Sequence, residues 1–242
     1  MKYGIIAAGQ GSRLCDEGIE VPKPLVKING ETMIGRLINI FGRCSADSVS
    51  VVINAEMPEV ADFLEELSKN VSFKLNWKIQ STPSSMHTLD VLTSLIGVND
   101  KCIVTTVDNI FLENNFRKYV EAFRNEGNKV DGMMAVTRFI DDEKPLYVAT
   151  DSSDYITGFY DQPEKDIKFI SGGIYGLTAP CLKVLKNCIS QNISRMRNYQ
   201  RVLISDGLRL KAYDLGKIID VDHAGDIKTA EDFINEETHN RL

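Results

Sequence analysis

The sequence predicts a single α/β domain built on a mixed central sheet, and three observations carry this expectation. Through the first half, short apolar runs alternate with helix-spaced apolar stripes, the pattern of a mostly parallel sheet covered on both faces. The second half instead carries a series of strand-like runs with turn signals between them. Across the 242 residues there is no internal repeat, low-complexity segment or Pro/Gly-rich linker at which to divide the chain. That length suits one α/β domain or two small ones.

Residues 3–8 form an apolar run closed by Gly9, which reads as a buried first strand. The run resembles the apolar region of a signal peptide, but it is too short, and Gly9-Gln10-Gly11 follows directly. Ile34, Leu37, Ile38 and Phe41 share one helical face. Residues 48–54 are β-branched and strand-like. Met57, Val60, Ala61, Leu64 and Leu67 make the next helical stripe, with Pro58 suited to its first turn. Residues 73–80 read as a strand, and Met86, Leu89, Leu92 and Leu95 as a helix with Ser84 or Ser85 at its N-cap. Residues 101–107 form a strand ending at Asp108, followed by a helix on Phe116, Tyr119, Val120 and Phe123. Ligands of such sheets sit beyond the carboxyl ends of the strands, which places residues 9–13 and Asp108 on one rim.

In the second half, residues 130–138, 146–150, 155–159 and 169–177 read as strands. Asp141-Asp142-Glu143-Lys144 between them is expected to be a solvated turn. Helices are expected over 182–190 and 199–206, then strands over 210–215 and 217–221, then a last helix carrying Ile227, Ala230 and Ile234. The simplest organisation is one domain over 1–242.

Composition removes several classes of function. Hydrophobic residues at 43% and charged residues at 26% are ordinary for a globular domain and exclude disordered, collagenous and coiled-coil chains. A net charge of −6 argues against a nucleic-acid surface, which needs a dense basic face. No apolar run reaches the ~18–20 residues of a membrane span. The five cysteines form no CxxC pair, which fits reduced thiols and a cytoplasmic setting. His87, His223 and His239 are scattered, so no zinc-ligand spacing exists.

The strongest chemical signal is Ala7-Ala8-Gly9-Gln10-Gly11-Ser12-Arg13-Leu14, followed by Pro22-Lys23-Pro24-Leu25. Glycines let backbone approach a ligand closely, and consecutive N–H groups can cradle phosphate oxygens. Arg13 offers a planar fork for phosphate, and Lys23 a compact charge. A dinucleotide fold would want a third glycine where Leu14 stands, and a P-loop would want G-K-[ST]; neither is present.

These motifs resemble the nucleotidyltransferases that join an NTP to a phosphorylated acceptor, notably the sugar-1-phosphate nucleotidyltransferases, whose G-x-G-[ST]-R…P-K-P signature they match closely. The resemblance implies a Rossmann-like three-layer α/β/α sandwich of the nucleotide-diphospho-sugar transferase type. Residues 1–125 would bind NTP and 126–242 the acceptor. Residues 81–95 resemble the family's base loop and following helix. By the same resemblance Ala7, Ala8, Gly9, Gly11, Ser12, Gln80 and Ser85 bind nucleotide, and Arg13 and Lys23 act on the phosphates. Ser171-Gly172-Gly173-Ile174-Tyr175 resembles the N-A-G-I-Y segment, placing Gly172 and Gly173 against the acceptor. Asp108 corresponds to the Mg²⁺-binding Asp at a strand end.

The late metal-site Asp aligns on Asp222 in one frame and Asp220 in another. Asp222 is favoured, because I-D-V-D-x-x-x-D resembles the cytidylyltransferase-like form; a helix-capping role near Asp226 is the alternative for one of the two. Both share parity along a strand, so both can face one side. The family's E-K-P appears here as Asp161-Gln162-Pro163, which removes a cation that Lys165 or Lys168 could replace. The base loop, Pro83-Ser84-Ser85-Met86, lacks the family's glycine. The sequence ends soon after the last helix, so the C-terminal β-helix domain of some members is not expected.

The implied reaction is Mg²⁺-dependent transfer of a nucleoside monophosphate to a phosphorylated acceptor, most simply a sugar phosphate. No nucleic acid or membrane partner is implied. The acceptor is already anionic near neutral pH, so positioning and charge neutralisation suffice without a Ser, Cys or His nucleophile. Alternatives are a phosphocholine or molybdopterin-type cytidylyltransferase, and a non-catalytic module holding nucleotide or sugar phosphate. Trp77, Tyr155, Phe159 and Tyr160 could form an aromatic box for a quaternary ammonium, although strand aromatics more often belong to the core. His87 is expected to cap or face solvent, with ligand contact as the alternative. His223, beside Asp222, is expected to have no role in the site, with support of a metal ligand as the alternative.

Overall fold

The computed structural model describes residues 1–127, 129–139 and 144–239, the last three by backbone alone. The expected turn at 141–144 lies outside the described residues except for Lys144. The chain opens with β1 (Lys2–Ala7) and a loop holding α1 (Ser12–Asp16). A 3-10 turn at Lys23–Leu25 leads to a hairpin of β2 (Lys27–Ile28) and β3 (Glu31–Thr32), then to α2 (Met33–Arg43). Alternation continues through β4 (Ser48–Ile53), α3 (Pro58–Ser68), β5 (Lys74–Ile79), α4 (Ser85–Ile96) and β6 (Cys102–Thr106). Next come β7 (Asn109–Ile110) and α5 (Glu113–Asn125), then β8 (Gly132–Thr137), β9 (Tyr147–Thr150), β10 (Ile156–Tyr160) and β11 (Phe169–Leu177). The chain closes with α6 (Ala179–Ser190), α7 (Met196–Ser205), β12 (Leu210–Asp214), β13 (Ile219–Asp220) and α8 (Ala224–His239).

Among the described residues, one sheet of nine strands runs β10-β9-β11-β6-β1-β4-β5, with β8 joining β11 to β12. β6, β1, β4 and β5 are mutually parallel, and β11 lies antiparallel on β6, so the sheet is mixed as expected. Side chains of β1 alternate between two cores. Tyr3, Ile5 and Ala7 pack with α2, α3 and α5 on one face, while Ile6 packs with α4, α6 and α7 on the other. This is the α/β/α sandwich, and it explains why the β1 run is apolar at consecutive positions.

A third, smaller core lies at the rim. Leu14, Val26, Ile28 and Met33 meet Ile110, Ile219, Val221, Ala230 and Phe233 there. Each buried aliphatic of this kind contributes roughly 1.5–3 kcal/mol. Together they clamp the glycine loop, the hairpin, β7, β13 and α8 into one unit.

Three details differ from the sequence expectation. The strand expected over 217–221 shrinks to Ile219–Asp220 and leaves the main sheet to pair antiparallel with β7. The helix expected from residue 199 begins at Met196, which brings two arginines to its start. The β2–β3 hairpin was not anticipated, although Asn29-Gly30, with φ of 50° and 83°, is the dipeptide such a two-residue turn requires. No helix among the described residues is long and apolar enough to cross a membrane.

Candidate active site

Parallel neighbours β1 and β6 deliver the glycine loop and Asp108 side by side at their carboxyl ends. Gly11 takes φ 65°, and a Cβ there would stand 2.7 Å from Lys23 Cβ. Only glycine permits both the backbone conformation and that approach. Pro22 and Pro24 bracket the turn that holds Lys23, and the Leu25 N–H donates to the Pro22 carbonyl at 2.7 Å. Lys23 is thereby sunk to 9% exposure and points its ammonium at the rim.

Three carboxylates meet it. Lys23 Nζ lies 2.6 Å from Asp108 Oδ2 and 2.6 Å from Asp222 Oδ1. Arg13 donates to Asp222 Oδ2 at 2.6 Å. One oxygen each of Asp108, Asp220 and Asp222 lie within 4.8 Å of one another. The late pair arrives through β13: Asp220 registers with Asn109, and the Val221 N–H donates to the Asp108 carbonyl at 3.1 Å. The shared parity of Asp220 and Asp222 therefore puts both side chains on the Asp108 side.

Asp226, in the first turn of α8, accepts the N–H groups of Asp222 at 2.9 Å and His223 at 2.7 Å. His223 pairs with Glu17 at 2.6 Å, and this tie helps hold α8 against the glycine loop.

Burial alone would lower the Lys23 ammonium pKa, but the charges of Asp108, Asp220 and Asp222 outweigh it and hold it above its usual value. Burial would raise Asp108, but the charge and hydrogen bond of Lys23 hold its carboxyl below the usual range. Asp108 Oδ1 is buried with no hydrogen-bond partner among the described residues. A buried carboxylate oxygen left so is costly, and a hard cation is the partner that fits an all-oxygen donor set.

Two adjoining cavities flank the carboxylates. The larger, about 640 Å³, is walled by the Ala8–Arg13 loop, Lys23, Ser81–Ser85, Asp108 and Asp222. The smaller, about 280 Å³, is walled by Asn109, Gly172, Gly173, Arg195, Gln200 and Asp220, among others. Ser85 and Thr106 line both.

Of the residues expected at the nucleotide, Ala8, Gly9, Gly11, Ser12 and Ser85 line the larger cavity with Arg13 and Lys23, whereas Ala7 and Gln80 do not. Ala7 is 2% exposed and packs in the core beneath the loop. A Cβ on Gly9 would meet nothing within 4 Å, so a side chain there would project into open space.

Gly172 and Gly173 line the smaller cavity. They form a bulge in β11, where the register with β8 shifts between Ser171 and Tyr175. A Cβ on Gly172 would strike Ile218, and one on Gly173, at φ 68°, would strike the Asn109 amide. The glycines thus make room for protein side chains that shape the cavity. Lys165 and Lys168 do not line it; Lys144, Arg195 and Arg197 do. Asp161, at the family's Glu position, pairs with Arg197 at 2.6 Å and Arg201 at 2.7 Å.

Trp77, Tyr155, Phe159 and Tyr160 do not assemble into an aromatic box. Trp77 lies on β5 at one edge of the sheet, while Phe159 and Tyr160 lie on β10 at the other, and Tyr155 lies just before that strand. His87 opens α4 and bonds Ser84 Oγ at 2.9 Å, a local role as expected.

Asn109, Arg195, Arg197 and Gln200 escaped sequence reasoning. The arginines fell in an apparent turn before the apolar stripe that begins at Tyr199. Gln200 falls inside that stripe and is 2% exposed, its carbonyl oxygen accepting from Ser171 Oγ at 3.3 Å.

The nucleotidyl transferase family profile matches residues 3–211. The chain belongs to the nucleotidyl transferase family. Among curated relatives, a mannose-1-phosphate guanyltransferase of Aspergillus fumigatus is 23% identical over 95% of this chain and 63% of its own length. The bifunctional protein GlmU of Alkaliphilus metalliredigens is 24% identical over 91% of this chain and 48% of its own. The chain therefore spans about half to three-fifths of these relatives. Among solved structures, a Bacillus anthracis protein assigned as a glucose-1-phosphate thymidylyltransferase superposes with a TM-score of 0.82 at 20% identity, covering 96% of this chain and 95% of that one. The nucleotidyl transferase match stops before Asp220 and Asp222, so their place in the site rests on the geometry given above.

Proposed function

We propose that the chain transfers a nucleoside monophosphate from a Mg²⁺-bound NTP to a sugar phosphate, releasing pyrophosphate. The observation that carries this reading is the meeting of Lys23, Asp108 and Asp222 on the wall of the larger cavity, with Asp220 of the same cluster on the wall of the smaller. That is the place where a phosphate held in one cavity can reach a phosphate held in the other. Family membership and the names of the relatives support the same reaction class.

In this reading the larger cavity holds the NTP. Backbone of the Gly9–Arg13 loop lies along its phosphates, with Arg13 beside the β- and γ-groups and Lys23 at the α-phosphate. Residues 81–85 and Thr88 form the base wall. The smaller cavity holds the acceptor. Arg195, whose guanidinium has no partner among the described residues, receives the acceptor phosphate in place of the cation absent at Gln162, with Arg197 and Lys144 adding positive charge nearby. Asn109, Thr137 and Gln200 face hydroxyls, as a sugar would present.

An acceptor phosphate oxygen attacks the α-phosphorus, a P–O bond forms, and the bond to the pyrophosphate oxygen breaks. Lys23 neutralises the charge gathering on the α-phosphate oxygens. Asp108 and Asp222 would hold Mg²⁺, with Asp220 beside them. When bound, the ion neutralises phosphate charge and templates both substrates. In this reading residues 1–125 supply most of the NTP cavity and 126–242 most of the acceptor cavity, with Asp222 lining the former and Ser85, Thr106 and Asn109 the latter. The phosphocholine reading lacks its aromatic cage.

Pyrophosphate release measured with Mg²⁺ across the common NTPs and a set of sugar 1-phosphates tests the reading. One NTP–sugar pair is expected to turn over. Mg²⁺–NTP binding without release for any pair would make the chain a binding module, to which Gln162 lends its support.

A further inference from the structure

Arg195 stands at the entrance to α7 with φ 72° and ψ 137°, a backbone region that side-chain-bearing residues rarely occupy. Two contacts hold it there. Its carbonyl accepts the N–H groups of Asn198 at 3.1 Å and Tyr199 at 3.2 Å, which fixes it to the helix. Its own N–H donates to Ser84 Oγ at 3.3 Å, across 111 residues of chain.

Ser84 is itself firmly placed. Its carbonyl accepts from the Thr88 N–H at 3.0 Å, and the hydroxyls of Thr82 and Thr88, which bond each other at 2.6 Å, share one further bond to it at 3.3 Å. Its hydroxyl also bonds His87 Nδ1 at 2.9 Å, so the oxygen can accept from Arg195 while its proton goes to the ring. Ser84 lines the larger cavity and Arg195 the smaller. A single hydroxyl therefore connects the wall of one cavity to the strained backbone of a cation in the other.

We propose that Ser84 is a positioning residue that couples the two cavities, holding Arg195 in its strained conformation and transmitting nucleotide occupancy to it. Nucleotide in the larger cavity steadies residues 81–85. The steadied hydroxyl keeps the Arg195 N–H, and with it the guanidinium, at the acceptor phosphate. Without the hydroxyl, Arg195 relaxes to an ordinary backbone conformation and the acceptor loses a contact while the nucleotide does not. The inference rests on the acceptor assignment of the smaller cavity.

The test uses the full chain and the substrate pair found by the pyrophosphate panel. Ser84→Ala should raise acceptor KM about tenfold, the size of one lost hydrogen bond, with NTP KM within about twofold of wild type. Ser84→Thr should restore most of the loss. Ser84→Ala should add nothing in an Arg195→Ala background, which a general packing defect would not obey.

Amide exchange over 194–198, followed by mass spectrometry, gives a second readout that needs no turnover. Mg²⁺–NTP should slow exchange of this segment in wild type and not in Ser84→Ala. Unchanged acceptor KM in Ser84→Ala, with a raised one in Arg195→Ala, overturns the coupling and leaves the acceptor assignment standing. Unchanged acceptor KM in Arg195→Ala removes that assignment and the coupling with it. If no pair turns over, equal nucleotide protection in wild type and Ser84→Ala overturns the coupling.

Discussion

Lys23 Nζ and Asp222 Oδ1 meet at 2.6 Å although 199 residues separate them. The contact closes the glycine loop onto the segment entering α8, and Asp108 completes it from the end of β6. One lysine thereby compensates two carboxylates at a point where phosphate chemistry needs both signs of charge.

Lys23→Ala should lower kcat by roughly 10²–10³-fold, the scale for one preorganised electrostatic contact. Arg13→Ala should act mainly on NTP affinity, because Arg13 is half-exposed on the loop that walls the larger cavity. Steady-state kinetics with the active substrate pair separates the two effects. Wild-type turnover in Lys23→Ala would remove Lys23 from the reaction.

Lys23→Met keeps most of the aliphatic stem and removes the charge. In chelator at pH 7 it should lose roughly 2–4 kcal/mol, the lower end reflecting the 19% exposure that Asp108 retains. Added Mg²⁺ should recover part of the loss by supplying Asp108 with another partner. Urea unfolding with and without Mg²⁺ measures both.

The same variant fixes a pH trend. Wild-type Asp108 is held below the usual ~3.9, so its contribution is present above that value and lost as pH falls through its folded pKa. Lys23 is held above the usual ~10.4, so its contribution is present below that value and lost as pH rises through its folded pKa. Between them the wild-type contribution is flat. In Lys23→Met the charge and hydrogen bond of Lys23 are gone, burial outweighs the remaining hydrogen bonds from Thr106 and the backbone, and Asp108 should rise, so the protonated form is favoured by folding and stability falls as pH rises. The deficit against wild type should widen from pH 4 to pH 7 in urea midpoints; a constant deficit contradicts the ion pair.

Asp108→Asn should lose activity and raise the Mg²⁺ requirement, and Asp222→Asn should do the same. Asp220→Asn should have the smaller effect, since Asp222 bonds both Lys23 and Arg13. Titration of Mg²⁺ against rate, with calorimetry of Mg²⁺–NTP binding alongside, decides the order. An unaffected Asp108→Asn would sink the metal assignment.

Gly9→Val and Gly173→Val should fail in different ways. A side chain at Gly9 enters open space in the larger cavity, so NTP KM should rise by tenfold or more while unfolding stability stays within about 0.5 kcal/mol. A side chain at Gly173 displaces Asn109 and strains a φ of 68°, so acceptor KM and stability should both suffer. Equal effects on both substrates in either variant would argue against two separate cavities.

Much of this was legible in the residues themselves. Apolar periodicity placed the strands and helices of the sandwich, because burial on two faces leaves its mark at each position of β1 and β4. The loop from Gly9 to Lys23 was legible because glycine, arginine and bracketed lysine have few other reasons to stand together. The shared parity of Asp220 and Asp222 followed from strand geometry.

What only the tertiary structure decided is which distant groups meet. Pairing of β13 with β7, outside the main sheet, brings Asp220 and Asp222 to Asp108, and the Ile219–Val221 run carries no trace of that choice of partner. Arg195 and Gln200 looked like a turn residue and a polar interruption of a helix, and became cavity wall only when α7 packed beside β11. Gly173 reads as a ligand-facing glycine and proves to make room for Asn109. Local sequence records the conformation and burial of a residue, because those are short-range or solvent-averaged energies. The identity of a partner across a hundred residues is set by how whole elements pack, and that information is spread over every residue of the interface.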